Sequence, residues 1–359
     1  MKKEILELTK KLIQIESIRS KPERLKEVVD VAADYFKDTK MIIKKYVSND
    51  KPSVMILTKE TKHPKLILNG HLDVIEAEKD QFKPKIEGDK LIARGAGDMK
   101  GACATMMVIM KKLYQQNPKL SFALMLTTDE EIGGFDGVKY LLEKEKYKTD
   151  ITFIPDGGHN FDIIVEEKGV LSFTLETKGV ACHASRPYLG ESAIDKLMLA
   201  CIKLRKTFKN PQSLEDWCIS FNIGKIYGGE ASNKIADYAS AECDIRYPAK
   251  YTKKEIFNKI TNLTGIKPKE TVDGNPFFTD KNNQYLKIYH EIAEKVLKRK
   301  VSITRDPAAS DARFFTSKKI PVILTEPNTA NAHATNEYVT ISSLEKMAQI
   351  LEQFIPEVS

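Results

Sequence analysis

Apolar residues recur at helical spacing at the start of the chain, where Ile5, Leu8, Leu12 and Ile15 share one face of Lys3–Ile15. The same period predicts helices over Leu25–Lys37, Cys103–Gln115 and Gly137–Lys144. Between them lie short apolar runs bounded by polar turns: Ser53–Thr58, Lys65–Asn69, Ser121–Leu126 and Ile151–Ile154. Runs of that length and content are expected to be buried strands. Strands alternating with helices predict an α/β fold with a mostly parallel sheet covered on both faces.

The pattern changes in the middle of the chain. In Leu171–Thr177 and in Tyr238–Tyr247, apolar and polar residues alternate, as in antiparallel strands with one wet face. Helical patterns at Ser192–Phe208 and Lys253–Leu263 lie among them. This order predicts a small α+β domain inserted into the α/β one. The α/β texture returns with a helix over Tyr285–Lys298, for which Asp280 is the expected cap, a strand at Pro321–Leu324 and a last helix at Ser342–Phe354. The expected division is therefore 1–168 with 280–359 for a discontinuous first domain, and 169–279 for the insertion.

Composition removes some function classes. Lys plus Arg number 57 against 50 Asp plus Glu, and the lysines are scattered along helix-like stretches. A solvated basic surface is expected, not a nucleic-acid patch. Charges interrupt the apolar positions of the N-terminal stretch and no other segment approaches spanning length, so no signal peptide or membrane span is expected. Five cysteines, none in C-x-x-C spacing, fit small buried residues in a reducing cytoplasm.

Polar residues with metal-binding chemistry gather where the predicted strands end. Lys65–Asn69 runs into Gly70-His71-Leu72-Asp73, Ser121–Leu126 into Thr127-Thr128-Asp129-Glu130-Glu131, and Ile151–Ile154 into Pro155-Asp156. Pro321–Leu324 is followed, after a loop, by His333. The carboxyl ends of strands form the ligand crevice of open α/β sheets. A glycine-rich loop before Cys103 adds Asp98 near a helix start.

Two imidazoles and several carboxylates, without a thiolate, suit Zn²⁺, Mn²⁺ or Co²⁺. The set divides evenly for two divalent cations: His71 and Asp156 for one, Glu131 and His333 for the other, Asp98 bridging. Asp73 lies two residues after His71 and is expected to orient that imidazole. Glu130 and Glu131 are adjacent and point apart, so Glu130 is left as a general base for a water between the cations. Alone, TTDEEIGG would be a solvated acidic turn, and Asp129 is expected to be no more than that.

"NGHLDV", "RGAGDMKGACA", "TTDEEIGG", "IPDGG" and "AHATNEYV" occur in order across nearly the whole chain. Together they resemble the motifs of a family of dinuclear zinc hydrolases. It includes carboxypeptidase G, carnosinase-type dipeptidases, aminoacylase, acetylornithine deacetylase and succinyl-diaminopimelate desuccinylase. The resemblance implies a zinc-exopeptidase-like catalytic domain, an inserted ferredoxin-like lid that pairs two chains, and a cis peptide after Asp98. It also implies that His183, in "KGVACHASRPYLGESAI", donates to the oxyanion and that Asn233 contacts substrate. Arg313, in "AASDARFF", is expected to hold a substrate carboxylate, with a structural salt bridge in the catalytic domain as the alternative. Arg246 is weighed between substrate and an ion pair with Asp244.

The chain departs from the family pattern in three places. Thr325-Glu326-Pro327-Asn328 stands where glycine-proline-glycine is usual, and "DPAASDAR" lacks the usual glycines. Asp156 stands where relatives carry Asp or Glu, and Asp resembles the peptidase branch. The expected activity is hydrolysis of small peptides with a free carboxylate by a dipeptidase or exopeptidase, with N-acyl-amino-acid deacylation as the alternative. A peptide-binding relative without catalysis is the remaining reading, and the presence of every ligand and of Glu130 counts against it. Of the other histidines, His63 is expected to face solvent, His290 to be structural, and His159 has no assigned role.

Overall fold

A computed structural model describes every residue of the chain except Leu214. The chain divides into two compact units. Met1–Val165, Phe278–Arg305 and Ser310–Ser359 form the first, and Glu166–Phe277 with Asp306–Ala309 form the second.

Two amphipathic helices open the first unit, α1 (Lys2–Ile13) and α2 (Pro22–Asp34). Proline opens α2 because the N–H it lacks has no partner in a first helical turn. A hairpin follows, β1 (Ile42–Ser48) and β2 (Lys51–Leu57). Its turn residues Asn49 and Asp50 both take positive φ, as a two-residue turn between twisted strands requires. The apolar pattern does not predict β1, because an edge strand with no fully buried residue carries little periodic signal. Then come β3 (Leu66–His71), α3 (Gly101–Gln116), β4 (Phe122–Thr127), α4 (Val138–Glu143), β5 (Ile151–Ile154) and β6 (Ile163–Glu167).

The second unit runs β7 (Gly169–Lys178), α5 (Ala193–Thr207), β8 (Ser220–Gly228), β9 (Tyr238–Tyr247), α6 (Lys253–Thr264) and β10 (Lys269–Gly274). Its strands pair antiparallel in the order β8-β9-β7-β10. A β-α-β-β-α-β chain with that order is the ferredoxin-like arrangement. Leu171, Phe173, Leu175, Ala241, Cys243 and Ile245 turn one sheet face toward Leu197, Leu204, Ile256 and Ile260 of the helices. The alternation seen in β7 and β9 is that core.

Back in the first unit are α7 (Gln284–Leu297), α8 (Ala312–Ser317), β11 (Val322–Leu324) and α9 (Ile341–Val358). Asn283, not Asp280, caps α7. Its Oδ1 accepts the N–H groups of Tyr285 and Leu286 at 2.9 and 3.4 Å, while Asp280 accepts from Asn282 in the preceding turn. A cap must directly precede the first helical residue, and α7 begins later than Asp280 can reach.

The large sheet is nine-stranded, and seven of its strands follow the order β1-β2-β4-β3-β5-β11-β6. It is mixed. β4, β3, β5 and β11 run parallel, β1 and β2 are antiparallel on one flank, and β6 is antiparallel on the other. Every residue of β3, β4 and β5 is buried, because helices cover both faces of a parallel sheet. The helix α3 is buried along most of its length and packs against α1 and α9. The parallel strands bring four carboxyl ends to one edge, and those ends carry the acids and histidines singled out above.

Candidate metal centre

His71 is the last residue of β3 and is fully enclosed. Its Nδ1 lies 3.0 Å from the backbone oxygen of Asp73 and 3.6 Å from the Asp73 carboxylate. Bonded to that oxygen, Nδ1 carries the proton, and Nε2 presents its lone pair to the crevice. The Asp73 carboxylate also accepts the N–H of Glu131 at 3.1 Å. It thus ties the β3 loop to the acidic loop after β4.

Around His71 Nε2 stand Asp98 Oδ1 at 3.0 Å and Asp156 Oδ1 at 3.9 Å. The other oxygen of Asp98 is 3.2 Å from His333 Nε2, which in turn is 3.1 Å from Glu131 Oε2. Two donor groups result, His71 with Glu130 and Asp156, and Asp98 with Glu131 and His333, with the ligand atoms of each group within 4.8 Å of one another. Glu130 therefore offers an oxygen to the first group. The peptide bond after Asp98 is cis, as the resemblance implies.

The fit of this donor set to metal ions can be tested on its geometry. Among the described residues His71 Nε2 is buried without a hydrogen-bond partner, although a carboxylate oxygen is 3.0 Å away. At that distance the two atoms do not meet the geometry of a hydrogen bond. Ligands about 2.0–2.1 Å from a tetrahedral Zn²⁺ stand about 3.3 Å apart, close to the 3.0, 3.2 and 3.1 Å spacings here. The residues fit a pair of divalent cations.

Electrostatics agree. Burial raises Glu131 to about 7, reinforced by Asp98. Burial, then Asp156, pushes Glu130 well above the carboxylate range. Burial opposes charge on His71, yet Asp156, Asp73 and Asp98 together hold its pKa well above the usual imidazole value. The Asp98 contact, against the opposing effect of burial, lifts His333 to about 9. Without cations this cluster must take up protons, which is the behaviour of a site built for positive charge.

Three residues with no assigned role in the sequence support the site. Glu337 is buried, and its Oε1 accepts the N–H groups of Gly97 and Asp98, both at 3.0 Å. Its Oε2 is 2.5 Å from Arg94 Nη1 in a buried ion pair. Lys100 is enclosed, donates to the backbone oxygens of Leu12 and Ile15, and is lowered to about 7 by burial. Asp311 is buried and is raised to about 8 by burial and then by Asp129. In sequence, Glu337 and Lys100 look like surface charges, and only their places inside quoted motifs mark them. Asp129 is no solvated turn residue: it is buried, and its Oδ2 accepts the N–H groups of Asp136 and Gly137 at 2.7 and 3.0 Å.

Arg313 also lies in the first unit. Its Nη2 donates to Gly133 O at 2.7 Å, and its guanidinium covers Phe314 at 4.8 Å and Phe135 at 5.9 Å. It clasps the end of the loop that carries Glu130 and Glu131. His183, Asn233 and Arg246 belong to the second unit. His183 is exposed, and its Nδ1 accepts the N–H of Ser185 at 3.1 Å. That leaves Nε2 as the protonated nitrogen. The N–H of Ala184 donates to Asn233 O, so the His183 and Asn233 loops are paired. Arg246 Nε donates to Asp244 at 2.9 Å. His63 pairs with Asp150 at the surface, His290 Nε2 bonds Val301 O, and His159 is exposed.

An α/β sheet whose parallel strand ends gather donors for two linked cations defines the class of metal-dependent hydrolases to which this chain belongs. The comparison with known proteins is specific: residues 67–357 match Peptidase family M20/M25/M40, and the chain belongs to that family. It is 28% identical over 371 residues to a succinyl-diaminopimelate desuccinylase of Pseudoalteromonas atlantica, covering 97% of each chain. An aminopeptidase from Bacillus cereus has the same fold, with a TM-score of 0.79 at 19% identity, covering 100% of this chain and 99% of the other. So does a dinuclear metal-binding M20 peptidase from Bacillus subtilis, with a TM-score of 0.72 at 15% identity and 99% and 98% coverage. Among the described residues no helix is long and apolar enough to cross a membrane.

Proposed function

We propose that the protein hydrolyses an amide bond in a small substrate that carries a free carboxylate, and that it acts foremost as a dipeptidase or exopeptidase. The observation that carries this is Asp98, whose two oxygens face two different imidazoles and so link the donor groups. His71 and Asp156 are the proposed ligands of one cation, Glu131 and His333 of the other, with Asp98 shared. Bound there, two divalent ions of the zinc, cobalt or manganese kind would polarise the scissile carbonyl and acidify water.

The chain's own groups do the rest. Asp73 holds His71 in the tautomer that presents Nε2, and it holds the backbone of Glu131. Glu130, with its raised proton affinity, takes the proton of the attacking water and returns it to the leaving nitrogen. His183, protonated on Nε2, is the proposed donor to the developing oxyanion. Asn233 is proposed to contact substrate. Arg313 is already engaged with Gly133 and is proposed to hold the acidic loop; the Arg246–Asp244 contact likewise favours its ion-pair role. The five cysteines are free thiols, which supports a cytoplasmic setting.

Deacylation of N-acyl amino acids is the second reading. It is favoured by the desuccinylase likeness, which extends over 97% of this chain. Purified protein offered dipeptides and N-acyl amino acids in parallel separates the two. Chelation is expected to abolish hydrolysis, and added Zn²⁺, Co²⁺ or Mn²⁺ to restore it. Glu130→Gln is expected to keep its metal and lose roughly 10²–10⁴-fold in kcat. Hydrolysis undiminished after exhaustive chelation would overturn the proposal.

We further propose that the second unit pairs two copies of the chain. β8 is an edge strand, and a groove between it and α5 exposes Met198, Ile202, Ile226 and Tyr227. A free strand edge beside apolar side chains is suited to a two-fold partner.

A further inference from the structure

Beside the metal centre, within the first unit, lies a cavity of about 160 Å³. Asp73 and Glu131 form the wall it shares with the centre, Val74, Ile75 and Ile132 supply apolar lining, and Arg19 and Lys51 supply two positive charges. The acids around it are engaged. Asp73 accepts the Glu131 N–H, Glu131 faces His333, and Glu76 accepts the N–H and hydroxyl of Ser20 at 3.2 and 3.1 Å. The cations are not: neither Arg19 nor Lys51 has a side-chain hydrogen bond or ion pair among the described residues.

We propose that Arg19 and Lys51 form a carboxylate-binding subsite for an acidic arm on the acyl half of the substrate. This rests on the amide-hydrolase reading above. Apolar walls accept the methylenes of a short aliphatic arm, and the two cations receive its terminal carboxylate, Arg19 through a bidentate fork. The acyl side follows from the two adjacent acids. The leaving nitrogen must come within reach of Glu130, and Glu130 does not line the cavity, whereas Glu131 does. An arm entering here belongs to the half of the substrate away from the leaving amine. The same chemistry could come from a dicarboxylic acyl group or from an acidic first residue of a peptide.

The test compares two matched pairs of substrates, N-succinyl-alanine against N-butanoyl-alanine, and Glu-Ala against Gln-Ala. Wild type is expected to favour the charged member of a pair by roughly tenfold to a hundredfold in kcat/KM, the range for a charge-assisted contact. Preference in the first pair alone identifies a dicarboxylic acyl group, and in the second alone an acidic side chain; either upholds the subsite. The double variant Arg19→Met with Lys51→Met is expected to lose the preference through KM, and the charge-keeping Arg19→Lys with Lys51→Arg to retain it. No preference in either pair, or a preference that survives loss of both charges, overturns the proposal. If none of the compounds is hydrolysed, the amide-hydrolase reading fails, and calorimetric titration with glutarate still decides the subsite. Binding that the double Met variant abolishes upholds it, and binding equal in the two proteins, or absent from both, overturns it.

Discussion

Glu337 shows how much of the candidate metal centre depends on a residue outside its donor groups. One of its oxygens accepts the N–H groups of Gly97 and Asp98, and the other neutralises a buried guanidinium. Glu337→Ala leaves Arg94 buried and unpaired and is expected to cost about 3–5 kcal/mol of stability. It should also weaken metal retention, because the backbone that aims Asp98 loses its acceptor. Denaturant unfolding together with a metal titration checks both effects, and unchanged affinity would dismiss the positioning role. Asp311 allows a pH argument. Its folded pKa of about 8 exceeds the ordinary 3.8, so the folded state binds a proton more tightly than the unfolded chain. Stability from this group is then present at low pH and is lost as pH rises through the window from about 4 to about 8. Asp311→Asn removes the titration. The melting temperature of the chelator-stripped variant is expected to fall less than that of wild type across this window, and equal slopes would refute the assignment.

Elements deliver these side chains through short, crowded loops. The loop after β4 turns at Gly133 and Gly134, which take φ of +112° and +67°, values that favour glycine. A Cβ on Gly134 would stand 2.0 Å from Asp311 Oδ1 and 2.8 Å from the Phe314 ring. Gly134→Ala must therefore move α8 or the loop that holds Glu130 and Glu131. A displacement of that size is expected to lower kcat by roughly 10²-fold, with metal content falling as Glu131 shifts. Wild-type kinetics in this variant would show that α8 yields freely. The helices and strands carrying the site were largely visible as apolar periodicity, from α1 to α9. The strands β1, β6, β8 and β10 were not; of these β1, β8 and β10 are edge strands, which meet water on too many sides to alternate cleanly. The α7 cap was misplaced to Asp280 because Asp280 and Asn283 both suit a cap, and only the helix start separates them.

At the scale of the whole molecule, the proposed pairing through the second unit makes its own claim. Met198→Glu with Ile226→Lys places two charges on the exposed groove of α5 and β8, and is expected to give monomers at micromolar concentration by sedimentation, with each unit still folded. A dimer that persists would move the interface elsewhere. The sequence by itself determined the class of fold, the insertion of an α+β unit and which residues have metal-binding chemistry, because periodicity and ligand chemistry are local properties of the chain. Tertiary structure decided the rest. It set the 3.0–3.2 Å spacings that join His71, Asp98, Glu131 and His333, the burial of Glu337, Lys100 and Asp311, and the gap in which Arg19 and Lys51 stand unpaired among the described residues. Burial and convergence depend on residues hundreds of positions apart meeting in space, and no local pattern records which charge will lose its water.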